Sequence, residues 1–202
     1  DWNGIRFDWD WDNYDTTFTR RGVFQYCVIS YGGNNDRVIY AYNSTSIFNQ
    51  PELKILNSHI HHVNNGAVYS YRWNIEVSDT RIHDWGSSGG IYNTGANTTI
   101  ISNNEIFYPY NSYYNETPLS VYMGSNNGKN SIARIYNNNI LGRSYAISVG
   151  NSNSDYNDTL LIYDNNLEIS GWSACLSISN SYSNYTSAHG NVIQHSGTYN
   201  DG

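Results

Sequence analysis

At 202 residues the chain is long enough for one domain with a sizeable core. A net charge of −7, with ten basic residues, leaves no cationic stripe for nucleic acid, and no apolar run reaches transmembrane length, so neither nucleic-acid binding nor membrane insertion is expected. Hydrophobic residues make up only 39%, but 15% aromatic content, including 20 tyrosines, sets the chain apart from disordered sequences of similar polarity.

The opening GIRFDW reads as a strand, and no signal peptide precedes it. This abrupt start predicts a mature or excised part of a longer extracellular protein, with neighbouring domains. The next stretch, DWDWDNYD, alternates Asp8, Asp10 and Asp12 on one face of an extended strand with Trp9 and Trp11 on the other. It begins like a calcium loop but lacks that loop's glycine and terminal glutamate. Two readings stand: a calcium site or acidic rim with a tryptophan platform for sugar, or a solvated edge whose tryptophans cap an open sheet. Calcium is the one cofactor these residues suggest.

From residue 24 onward a phrase recurs: QYCVIS, LNSHIHH, VSDTRIHD, ISNNEIF, IYNNNIL, YDNNLEI, HGNVIQ. Its aliphatic anchors are Ile29, Ile60, Ile82, Ile106, Ile140, Leu167 and Ile193, spaced 22 to 34 residues apart. Five positions earlier runs a second apolar series, Phe24, Ile55, Val77, Ile101, Ile135, Ile162 and Ala188. Two positions before the anchors runs a small polar series: Cys27, Ser58, Thr80, Asn104, Asn138, Asn165 and Asn191. A further short strand follows each of the first six phrases: RVIYAY, GAVYSY, GGIYNT, LSVYMG, AISVG, CLSIS. Units of this length bury a core only by stacking. The columns predict an all-β fold, a right-handed parallel β-helix of about seven coils, as a single domain over residues 1–202. The anchors would form an interior ladder, and the Asn residues would sit at left-handed corners and hydrogen-bond along the stack. An antiparallel sandwich also spaces strands closely but would not keep three columns in register.

If each anchor points inward, its neighbours point outward. The two outward columns then concentrate ionisable groups in three consecutive coils: His59 and His61, Arg81 and His83, and Glu105. Asp79, Asp84 and Trp85 stand beside them, with His62 pointing inward or lying at the bend. A repetitive outer face suits an extended polysaccharide. Arg81 would hold a uronate carboxylate. Glu105, Asp79 or Asp84 would act as general acid or base, with His59 and His83 moving the proton. His61, Trp85, Trp9 and Trp11 would contact the sugar. The competing readings are plain cross-strand pairing on a solvated sheet and a three-nitrogen metal site at His59, His61 and His83, which has no recognised ligand spacing.

Five sequons occur, at Asn43, Asn97, Asn115, Asn157 and Asn184, and all end in Thr. This points to glycosylation and to an extracellular or cell-surface location. Cys27 and Cys175 fall in the first and last coils. At about 4.8 Å per coil they are too far apart for a disulfide, so both are expected as buried free thiols.

The phrase GIRFDWDW…YCVISYGGNN with its degenerate NxxI coils resembles the right-handed parallel β-helix repeats of microbial surface proteins. More narrowly, the length, the Asn/Tyr richness and the WDWDN opening look like the disaggregatase-related domain of methanogenic archaea. That resemblance implies an extracellular glycosidase or lyase that loosens a uronate-containing heteropolysaccharide matrix. It carries no motif onto particular residues. The alternative is a non-catalytic carbohydrate-binding or structural cell-envelope module.

Overall fold

A computed structural model describes residues 3–9, 21–33, 37–44, 50–108, 117–124, 130–151, 158–171, 174–180 and 185–196. Each coil contributes three short strands. The first holds β1 (Ile5–Trp9), β2 (Arg21–Gln25) and β3 (Val28–Ser30); the second β4 (Ile39–Asn43), β5 (Glu52–Leu56) and β6 (His59–Val63). Next come β7 (Val68–Tyr71), β8 (Asn74–Ser78) and β9 (Arg81–Trp85), then β10 (Ile91–Thr94), β11 (Thr98–Ser102) and β12 (Glu105–Phe107). The fifth and sixth coils hold β13 (Leu119–Met123), β14 (Ile132–Tyr136), β15 (Asn139–Gly142), β16 (Ile147–Asn151), β17 (Thr159–Tyr163) and β18 (Asn166–Ile169). The last holds β19 (Leu176–Asn180), β20 (Tyr185–His189) and β21 (Val192–His195).

Equivalent strands pair in parallel across coils to make three seven-stranded sheets, one starting at each of β1, β2 and β3. The result is a parallel β-solenoid of about five turns, bounded at each end by a coil paired on one side only, where about seven coils were expected. Among the described residues no helix is long and apolar enough to cross a membrane.

The anchors pair in register, Ile29 with Ile60, Ile60 with Ile82, and so on to Leu167 with Ile193. From Ile60 to Leu167 they are fully buried, as is the second series from Ile55 to Ile162. The ladder is incomplete at the end coils: Phe24 is half-buried in the first, and in the last Ile193 is 58% exposed and Ala188 also faces solvent, because no described coil lies beyond them.

The polar column is a hydrogen-bond ladder. The Asn138 Oδ1 accepts from the Asn104 N–H at 3.0 Å, and its Nδ2 donates to the Ile101 carbonyl at 2.9 Å and to Asn165 Oδ1 at 2.9 Å. Asn104 and Asn165 repeat the pattern, while Thr80 and Ser58 use a single hydroxyl. The left-handed corner is one residue earlier than expected, at Tyr26, Asn57, Asp79, Asn103, Asn137, Asp164 and Gly190. The labour is split: one residue turns the chain and the next, buried, binds the neighbouring coils.

Both cysteines are free. Cys175 is buried, and burial pushes its thiol up. Cys27 is only half-buried, against expectation, because it occupies the polar column of the end coil and nothing described packs beyond it. Asp10, Trp11 and Asp12 lie outside the described residues. Asp8 and Trp9 belong to β1, in register with Tyr42 and Asn43.

Ile82→Ala removes a buried side chain from mid-ladder and should cost about 2–5 kcal/mol, whereas His61→Ala on the outer face should cost under about 1 kcal/mol. Asn138→Ala strips hydrogen bonds from two neighbouring coils and should cost about 1–3 kcal/mol. Denaturant unfolding measures all three, and equal losses at Ile82 and His61 would contradict the register.

Candidate functional site

The third sheet, containing β3, β6, β9 and β12, carries the two outward columns as expected. Val28, His59, Arg81, Glu105 and Asn139 align, as do Ser30, His61, His83, Phe107 and Leu141. Parallel in-register pairing therefore sets histidine beside histidine. The His59 and His83 rings lie 4.9 Å apart, His61 and His83 stack at 5.5 Å, and Phe107 stacks on His83 at 4.7 Å and 9°.

A second left-handed column ends these strands: Tyr31, His62 and Asp84, with φ of 56°, 51° and 54°. It brings His62 to the bend and Asp84 to the cluster. It also breaks the alternation of faces. Arg81 and His83 point out, Asp84 turns, and Trp85 then points in, 3% exposed and packed on Tyr108 at 5.3 Å. Trp85 is thus a core residue rather than a sugar platform, and Val63 goes inward after His62 for the same reason.

The polar contacts form a chain. His83 Nδ1 lies 2.7 Å from Asp84 Oδ2, and His83 Nε2 lies 2.7 Å from His59 Nε2. An ionised carboxylate only accepts, so His83 donates from Nδ1 and its Nε2 accepts from His59 Nε2–H. This fixes both tautomers and leaves a lone pair on His59 Nδ1. His61 and His62 share one proton between their Nδ1 atoms at 2.7 Å, and Tyr31 stacks on His62 at 5.3 Å. His62 Nε2 stands 3.6 Å from Asp84 Oδ2.

Burial, then the positive charges that His61, His83 and Arg81 would add, hold His59 below the ordinary imidazole value, with Glu105 opposing. His61 is lowered by burial and then by His62 and His83, with Asp84 opposing. His59 and His61 therefore hold the neutral imidazole form to lower pH than a free histidine does.

Arg81 lies over the Phe107 ring at 5.0 Å and pairs through Nε with Glu105 at 3.1 Å. Both side chains are about half exposed, at 51% and 48%, so the pair adds little to stability. Asp79 is an exposed corner residue before β9, at the opposite end of that strand from Asp84. Among the described residues no group of three or more His, Cys, Asp and Glu is arranged to hold a metal ion.

Of the sequon asparagines, Asn43 is fully buried and its Nδ2 donates to the Arg72 carbonyl, which leaves no room for a glycan in the folded chain. Asn97 is half-buried beside Gln50, whose Oε1 accepts from its N–H. Asn115, Asn157 and Asn184 lie outside the described residues. The columns concealed three participants. Tyr31 shares the corner column of His62 and Asp84, Phe107 shares that of His83, and a tyrosine column runs up the first sheet through RVIYAY, GAVYSY and GGIYNT. No family model, curated protein or solved structure matches this chain.

Because folded His59 and His61 bind protons less readily than unfolded histidine, their contribution to stability is full above the ordinary imidazole value of 6.5. It is lost as pH falls through their lower folded values. The thermal midpoint should therefore drop as pH is lowered below about 6.5, and the double variant His59→Gln/His61→Gln should flatten that drop. Circular dichroism melts across mild acid test this, and equal slopes in both proteins would exclude the cluster as its source.

Proposed function

We propose that the outer face of the third sheet cleaves an acidic, uronate-containing polysaccharide by elimination. The observation that carries this reading is the hydrogen-bonded chain Asp84–His83–His59, which leaves a lone pair on His59 Nδ1. In an elimination, a base removes the proton α to the uronate carboxylate. The glycosidic bond β to that carboxylate breaks, leaving a double bond in the sugar, and the departing oxygen takes a proton from solvent. A histidine kept neutral below its usual value suits the base. Asp84 orients His83, and His83 orients His59, so the base has one defined tautomer.

Arg81 supports the same chemistry. It meets Glu105 through Nε, which leaves its terminal nitrogens for a substrate carboxylate, and a paired carboxylate makes the adjacent proton more acidic. Hydrolysis is less well supported. It needs two carboxyl groups flanking one bond, and here Asp84 is engaged by His83 and Glu105 by Arg81. The resemblance of the opening phrase to disaggregatase-related domains is consistent with such a substrate and with a place at the cell surface, as part of a longer chain. A non-catalytic carbohydrate-binding or envelope module is the second reading, and the bare sheet face favours it.

The deciding experiment incubates the protein with polygalacturonate and with acidic extracellular heteropolysaccharide, following reducing ends and unsaturated-uronate absorbance together. Both signals should rise, and His59→Ala should remove both while the thermal midpoint at neutral pH stays nearly fixed. Arg81→Ala should weaken turnover by about tenfold or more, the worth of one charge-assisted contact. Reducing ends without the absorbance would replace elimination by hydrolysis, and silence in both would leave the binding reading.

A further inference from the structure

The first sheet carries an outward aromatic face opposite in character to the histidine cluster. Tyr40, Tyr69 and Tyr92 stack up the solenoid at 4.8 and 5.5 Å, within 12° of parallel, and Tyr122 continues the line at 5.5 Å. Beside them Tyr42 stacks on Tyr71 at 5.1 Å. Arginines lie on these rings: Arg6 over Tyr40, Arg37 over Tyr69 and Tyr92, and Arg72 over Tyr71, each within 5.2 Å. Three of the chain's ten basic residues are thus gathered on one face of a protein whose net charge is −7. At the top of the ladder a cavity of about 330 Å³ is lined by Arg37, Ser88, Tyr92, Thr117, Ser120 and Tyr122.

We infer that this face is a second, non-catalytic binding surface for an acidic polysaccharide chain lying along the solenoid axis, with the cavity at Arg37 and Tyr92 taking one anionic sugar unit. Three features point to that ligand. The lining is one cation, hydroxyls, phenol rings and Ile91, groups that together meet a sugar's hydroxyls, carboxylate and apolar ring edge. The guanidinium groups are held over the rings within 5.2 Å, which restricts them before a carboxylate arrives. The ring spacing is close to the length of one pyranose unit in an extended chain, so one polymer can repeat its contacts from coil to coil. Burial and the neighbouring rings push the Tyr69 hydroxyl up to about 12, so it stays a neutral donor. The inference stands on the first sheet alone and does not need the third sheet to be catalytic.

Native electrophoresis in gels containing polygalacturonate tests it, with a neutral hydroxyethylcellulose gel as control. The protein should be retarded by the acidic polymer despite its own negative charge, and little by the neutral one. Arg37→Gln/Arg72→Gln should weaken retardation by about tenfold or more, the worth of losing charge-assisted contacts. Tyr122→Ser, at the most exposed ring, should weaken it with an unchanged circular dichroism spectrum. Lys54→Gln, a cation of the second sheet outside both proposed faces, should leave it unchanged, so a loss in the first-sheet variants is not a general effect of charge. No retardation, equal retardation by the neutral polymer, or full retardation of both first-sheet variants would overturn the inference.

Discussion

The structure depends on one constraint, the in-register parallel stacking of coils. An aliphatic ladder alone would tolerate slippage, since isoleucine packs against isoleucine at many offsets. The asparagine ladder does not. Each buried amide must meet a backbone N–H of the coil before it, a carbonyl of that coil, and the amide of the coil after it. A slip by one residue would bury these amides among isoleucines without partners and turn the anchors to solvent. The amides therefore specify register more than they add stability, and the left-handed residue before each one delivers it to the same height in every coil.

The same constraint dictates the surface. In-register pairing places like beside like unless the sequence intervenes, and the outer columns show both outcomes. Where charge would repeat, the sequence alternates it: Arg21 meets Glu52, Lys54 meets Glu76, and Arg81 meets Glu105, each on neighbouring coils. Where rings repeat, they stack, as in Tyr40–Tyr69–Tyr92 and Tyr136–Tyr163–His189, since neutral rings gain contact without repulsion. Histidine falls between these cases. Neutral, it stacks like tyrosine; protonated, it repels like lysine. Burial first, and then the neighbouring imidazoles that register brings together, lower the affinity of His59 and His61 for protons, so this property follows from fold geometry.

The columns were legible from sequence because they obey a period of two within strands and a coil-length repeat between them. Ile60, Ile82 and Asn138 stand where the spacing put them. The errors occur where backbone conformation breaks the period. Trp85 reads as outward by counting from His83, but the left-handed Asp84 between them reverses the face. Asn104 and Asn138 were assigned the corner that Asn103 and Asn137 occupy, because adjacent asparagines give no local signal for which one turns. Cys27 and Ile193 fit their columns and yet are not fully buried, since a repeat pattern does not reveal which coil has only one neighbour. Ring–ring contacts such as Tyr31 with His62 were missed because they run between coils, at separations that single-phrase reading does not compare.

The two outer faces meet at a corner of the third coil. β9 carries His83 and Asp84, the chain turns through Ser87 and Ser88, and β10 carries Tyr92. Ser88 accepts through its carbonyl from Arg37 Nη2 at 3.1 Å, so the arginine lying on the tyrosine ladder is tied to the turn that follows the histidine strand. The cavity at this turn is lined by Arg37 and Tyr92 from the tyrosine face and by Ser87 and Ser88 from the turn itself. The turn can hold this position because the coils on either side of it are fixed by the buried ladder, so loop composition is free to vary where strand composition is not. Along the solenoid axis neighbouring coils offer equivalent contacts about 4.8 Å apart, and a repeating polymer is the ligand that can use them in succession.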